Sequence, residues 1–122
     1  MLESTLPGFT EAEALGERDA EFIAELRDLL ERHGNIDRFG LCLLHDHFPV
    51  QRDELLMETN DPATRTLTST PQPIAALEEF KGTMWRLHRS GSGDDVSPTR
   101  TVQVLRGVPC EILQGCKEDK CK

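Results

Sequence analysis

Tyrosine is missing from this chain altogether, tryptophan occurs once and phenylalanine only five times. The core must therefore lean on Leu, Val and Ile. Long apolar runs are missing too. None approaches the ~18 residues that a membrane-spanning helix needs. Basic charge is scarce, with 14 Lys and Arg against 22 Asp and Glu and a net charge of −8. Binding to nucleic acid needs a clustered basic face, and an anionic membrane surface attracts the same feature, so neither is an expected partner. A small-molecule or protein partner stays open, and the acidic balance suits a cation. "SGSGDD" lacks the Lys and following helix of a phosphate loop, and no Ser-His-Asp nucleophile elbow is found. "MLESTLPGFTEAE" shows no basic n-region or apolar h-region, so the expected location is cytoplasmic, where thiols stay reduced.

What is present fits one soluble domain over residues 1–122, with a loose lead-in at 1–9 and a flexible, Cys-containing tail at 110–122. A chain of this length buries roughly two thirds of the surface its unfolded form exposes, enough to fold unaided. "TEAE" at 10–13 reads as a capping box in which the Thr10 hydroxyl and Glu13 carboxylate exchange backbone bonds. Asp19 offers a second cap after Gly16. Phe22, Ile23, Leu26, Leu29, Leu30 and His33 then recur at spacings of three and four, the apolar stripe of a long N-terminal helix that Gly34-Asn35 stops.

The period changes in "DRFGLCLLHDHF". Phe39, Leu41, Leu43, His45 and His47 would share one face of a strand, and Cys42, Leu44, Asp46 and Phe48 the other. Both faces are apolar up to residue 44, so the pattern predicts a central, doubly covered strand, with Cys42 a small core hydrophobe. "DELLMETNDPATRTLTST" reads as a hairpin, with strands at 54–59 and 64–70 joined through "NDPA". "PQP" breaks the chain, and "IAALEEFKG" reads as a two-turn helix. "TMWRLHR" at 83–89 and "TRTVQVLRG" around 99–106 form another pair of strands, linked by the flexible "SGSGDDVSP". The expected fold is α+β: one long helix packed on a largely antiparallel sheet of about five strands, possible also as a small, partly closed barrel with the helix across its mouth.

The stretch that carries chemistry is His45-x-His47. On a strand, residues i and i+2 point the same way with Cα atoms about 6.5–7 Å apart. Two such imidazoles reach one ion at the ~2.0–2.1 Å that zinc prefers. Glu54 and Glu58, four apart on the next strand, are oxygen candidates to complete the set, and His88 is a third imidazole. A His-His-His or His-His-Glu set with an open position is the facial kind of metal site. "HDHFPVQRDE" resembles the metal motif of the cupin superfamily, which pairs HxH with a nearby Glu on adjacent strands. The gap from His47 to Glu54 exceeds that pattern, and the second motif, a Pro-x-Gly turn before a later His, is missing, so the likeness is one of chemistry. "RLHR" beside Trp85 suits a small anion or a solvated edge.

Cys110, Cys116 and Cys121 are spaced more widely than a CxxC knuckle. Gly115 would allow a turn that brings Cys110 to Cys116. The three thiols can join the histidines in a structural zinc site, or form a reversible disulfide with Lys117 and Lys120 activating a thiol, or lie idle in a disordered tail. Three functions are expected in turn. The first is a small metal-binding protein, an enzyme or accessory protein, with His45 and His47 holding a divalent transition metal such as zinc, copper or iron. The second is a non-catalytic protein-interaction module. The third is a thiol redox or metal-carrier protein.

Overall fold

The computed structural model describes residues 6–51, 53–77, 79–89, 102–106, 108–117 and 119–121. The chain divides into two compact units, Leu6–Phe48 and the chain from Pro49 onward.

The N-terminal unit is built on helix α1, Ala20–Arg32. Its start differs from the capping pattern read at Thr10. Glu11 turns back instead, accepting from the Gly8 amide at 3.1 Å and the Thr10 hydroxyl at 2.8 Å. The Asp19 carboxylate accepts from the Gly16 amide at 3.0 Å, and the Asp19 amide donates to the Gly16 carbonyl at 2.9 Å, so one 3₁₀ turn leads into α1. The other end is a Schellman motif: Gly34 at φ +74° donates to Glu31, and Asn35 donates to Leu30 at 2.7 Å. Gly at the left-handed position removes the Cβ clash there.

The strand expected over 37–48 does not form. Arg38 and Phe39 donate to the Asn35 carbonyl, and the chain then runs irregularly to a single bridge between Gly8 and Asp46, whose amide donates to Pro7 at 2.9 Å. Alternation shows which face a side chain would take, but a strand also needs neighbours for its amides, and among the described residues one bridge is found here. Phe39, Leu41 and Leu43 are exposed, and so is Cys42, which is no core residue.

The second unit is a mixed, open sheet with its strands in the order β2 (Thr66–Pro73), β1 (Glu54–Asp61), β5 (Val108–Cys116) and β3 (Lys81–Leu87). Strands β1 (Glu54–Asp61) and β2 (Thr66–Pro73) form the hairpin, in register from Glu54↔Pro73 to Asp61↔Thr66. The Asp61 carboxylate takes the Ala63 amide at 3.0 Å, an Asx turn, and Arg65 closes the loop at φ +57°. Pro71 and Pro73 sit inside β2, which an edge strand tolerates because one row of amides has no partner to lose. "IAALEEFKG" supplies one 3₁₀ turn, Ile74–Ala76, where two helical turns were expected.

Strands β3 (Lys81–Leu87) and β4 (Val102–Leu105) do not pair with each other. Each pairs antiparallel with β5 (Val108–Cys116). Cys110 has Leu87 on one side and Gln103 on the other, so β4 lies on the edge of β5 that β1 takes further along. The link expected to join β3 and β4, residues 90–98, lies outside the described residues, as do the first three residues of the strand expected at 99–106. The parallel β1/β5 pair, Leu56↔Gln114 to Glu58↔Cys116, makes the sheet mixed and not purely antiparallel.

The expected tail at 110–122 is thus corrected over its first half, because 110–116 is the central strand. Cys110, Glu111, Ile112, Leu113 and Cys116 are all buried, on both faces of β5. Leu55, fully buried, Met57 and Val50 complete this core. Gly115 is required by packing. A Cβ there would stand 2.7 Å from Phe80 Cδ2 and 3.0 Å from the Lys81 carbonyl oxygen.

Candidate functional site

His45 and His47 lie beyond α1 in the irregular end of the N-terminal unit. The Pro7–Asp46 bond holds the segment between them. Their ring centres are 4.8 Å apart at 80°, and the Phe9 ring meets His45 edge-on at 5.5 Å. Nδ1 of His45 is 2.7 Å from the Leu43 carbonyl oxygen. A carbonyl only accepts, so Nδ1 is the donor of this contact, and in the tautomer that makes it the lone pair lies on Nε2. The two imidazoles are therefore neighbours, through a loop and not through strand alternation.

The expected oxygen ligands are tied up in the other unit. Glu54 accepts from the Gln51 amide at 2.8 Å, a local cap at the start of β1. Glu58 accepts from the Thr83 hydroxyl at 3.2 Å. Leu55 and Met57 alternate with them into the core, so the two carboxylates do share the opposite face of β1. Among the described residues no three His, Cys, Asp or Glu side chains gather closely enough to hold an ion.

His88, just past β3, donates its amide to Pro109 at 3.2 Å. Its Nε2 stands 3.9 Å from Oε1 of Glu111, buried on β5. Glu111 escaped the sequence reading because the segment after Pro109 looked like a tail. An acid flanked by apolar neighbours in "PCEILQ" was the available signal. Arg86, from the basic "RLHR" stretch, stands opposite Glu111 in the β3/β5 register.

The cysteines separate. Cys110 is a free, buried thiol whose Sγ is 3.7 Å from the Val108 carbonyl oxygen. Cys116, six residues further along the same extended strand, is about 20 Å away at ~3.3 Å per residue. Gly115 therefore makes no turn between them. Cys116 is instead joined to Cys121 in a disulfide with Cα atoms 6.1 Å apart. The turn between them returns to β1, where the Asn60 amide donates to the Lys120 carbonyl at 3.0 Å.

The most uneven property of the chain is where its charge and apolar surface fall. Residues 6–48 hold four arginines and ten acids, a net charge of −6, whereas ten basic and eleven acidic residues leave 49–122 at −1. None of residues 6–48 is buried. Phe9, Leu15, Phe22, Leu29, Ile36, Phe39, Leu41, Leu43 and Phe48 are all exposed, Phe22 by 54%. No described helix is long and apolar enough to cross a membrane. No protein-family model, curated protein or solved structure matches this chain.

Proposed function

We propose that the protein is a non-catalytic interaction module whose N-terminal unit seats a basic, amphipathic segment of a partner protein. The observation that carries this reading is that α1 presents an apolar stripe without one buried residue. Apolar patches of this kind, rimmed by polar groups, mark interaction sites. The rim chooses the occupant. With Glu21, Glu25, Asp28 and Glu31 beside the stripe and a unit charge of −6, a second copy is repelled and a Lys- or Arg-rich segment is attracted.

The test uses two synthetic helical peptides with identical leucine positions, one lysine-rich and one glutamate-rich, titrated by fluorescence anisotropy. The lysine peptide is expected to bind, more weakly as salt rises, and to lose binding in Phe22→Ser/Leu29→Ser with the circular dichroism unchanged. Equal binding of both peptides, or of neither, overturns the reading. So does self-association of the chain in sedimentation.

A second reading, that His45 and His47 bind a divalent transition metal, draws on two observations. The Leu43 contact leaves the His45 Nε2 lone pair free for a ligand bond, the tautomer arrangement common among metal-ligating histidines. Two imidazoles on one tetrahedral ion stand about 5 Å apart between ring centres, close to the 4.8 Å found here. Zinc, copper and iron all accept imidazole, with water or a partner's groups filling the other positions. Elemental analysis of untagged protein purified without chelator tests it. About one metal per chain, lost in His45→Ala/His47→Ala, supports the site. No metal in either protein removes it.

A further inference from the structure

The sequence pointed to reduced thiols, yet two of the four cysteines are paired, and their two sulfurs are unequally placed. Cys116 is held in the sheet on both sides, opposite Glu58 of β1 and Lys81 of β3, and is 5% exposed. Cys121 ends a short turn and is only partly buried. Among the described residues, the Asn60 amide donates to the Lys120 carbonyl and so ties that turn to the sheet, while the Lys120 and Cys121 amides both donate to Lys117 within the turn itself. Both sulfurs lie near one acceptor, with Sγ of Cys116 3.1 Å and Sγ of Cys121 3.5 Å from the Glu58 carbonyl oxygen.

We propose that the Cys116–Cys121 pair is a thiol-exchange site, attacked at Cys121 by small thiols of the glutathione class, and that its state governs the fastening of the C-terminal turn to β1. The attacking thiolate forms a bond to Sγ of Cys121, and the Cys116–Cys121 bond breaks. Its electron pair leaves on Sγ of Cys116, which takes up a proton. A second small thiolate then attacks the adduct sulfur, releases the oxidised small disulfide, and leaves Cys121 as a thiol. The chain gains two electrons and two protons, and two small thiols are oxidised. Attack takes this direction because exchange needs an open line to the sulfur, and Cys116 is enclosed by the strands that pair with it. The reduced Cys116 has a destination for its proton, since its S–H donates to the Glu58 carbonyl that already stands beside it. Cys121 has no ladder to hold it once the bond is gone. The Asn60–Lys120 bond then works against the entropy of the freed turn without the covalent link beside it.

The experiment takes the full chain purified without reductant. It is exposed to reduced glutathione, quenched with N-ethylmaleimide and mapped by mass spectrometry. The glutathione adduct is expected on Cys121 and the maleimide on Cys116. Amide hydrogen exchange on the same samples should show Asn60 losing protection on reduction while Leu55 and Met57 keep theirs. Single variants give an independent check. The thiol left by Cys116→Ser should be alkylated faster than the one left by Cys121→Ser, by roughly an order of magnitude, since access limits the reaction. An adduct on Cys116, reduction only after denaturation, both thiols already free in the untreated chain, or an Asn60 amide indifferent to reduction each overturns the proposal.

Discussion

The buried carboxylate of Glu111 lies 3.9 Å from Nε2 of His88, a ring nitrogen with no hydrogen-bond partner among the described residues. Taking one member from such a pair leaves the other in a desolvated place it does not suit, whereas replacing both with apolar groups costs less. Stability should therefore fall by about 1–3 kcal/mol in His88→Leu. The double variant His88→Leu/Glu111→Leu should fall short of the sum of the two single losses. Urea unfolding of the four proteins measures the coupling. Strict additivity would show that the two groups do not interact.

Leu55 is fully buried in β1, and truncating it to Ala should cost about 2–5 kcal/mol, from lost burial and the cavity left behind. Leu67, 64% exposed on the edge strand β2, provides the contrast. Leu67→Ala should stay within about 0.5 kcal/mol of the parent. Thermal denaturation distinguishes the two. Equal shifts would place the core elsewhere.

Gly115→Ala tests the close approach at the middle of the sheet. The new methyl would press on the Phe80 ring and on the Lys81 backbone, and the backbone cannot give way cheaply. A loss of about 1–3 kcal/mol is expected, as for other overpacked sites. Nothing lies within 4 Å of a Cβ built at Gly40, so Gly40→Ala should be tolerated. A Gly115→Ala chain as stable as the parent would refute the packing at Phe80.

Arg106, the residue after β4, has φ +50°, a left-handed conformation that costs an ordinary residue about 1 kcal/mol. Asn tolerates this region. Arg106→Asn should raise the denaturant midpoint, while Arg106→Val should lower it. If both variants matched the parent, residue 106 would not have this geometry in solution.

Much of the local structure was legible from residues alone. The three-and-four spacing from Phe22 to Leu30 lies within α1, and Gly34 ends it, because helix periodicity and a left-handed stop are properties of neighbouring residues. The β1–β2 hairpin was legible for the same reason, since Asp61 and Pro62 set the turn locally, although β1 ends two residues later than the pattern suggested and β2 begins two and ends three residues later. Of the candidate site, the nearness of His45 and His47 follows from two residues of separation. The tautomer at His45 depends on the Leu43 carbonyl, which only the folded loop supplies.

Composition, charge and local periodicity determined by themselves that α1, the β1–β2 hairpin and an α+β chain would form, and that the N-terminal third would carry the acid. Tertiary structure alone decided that 110–116 is the central strand, that β3 and β4 flank it from opposite sides, and that Glu111 meets His88. It also decided that Cys116 pairs with Cys121. The physical reason is distance along the chain. Cys116 and Glu58 are 58 residues apart yet paired, and such a contact is set by which buried surfaces fit together. A proline at 109 and a charged ending look locally like a loose tail, and only burial on both faces makes the segment a core strand.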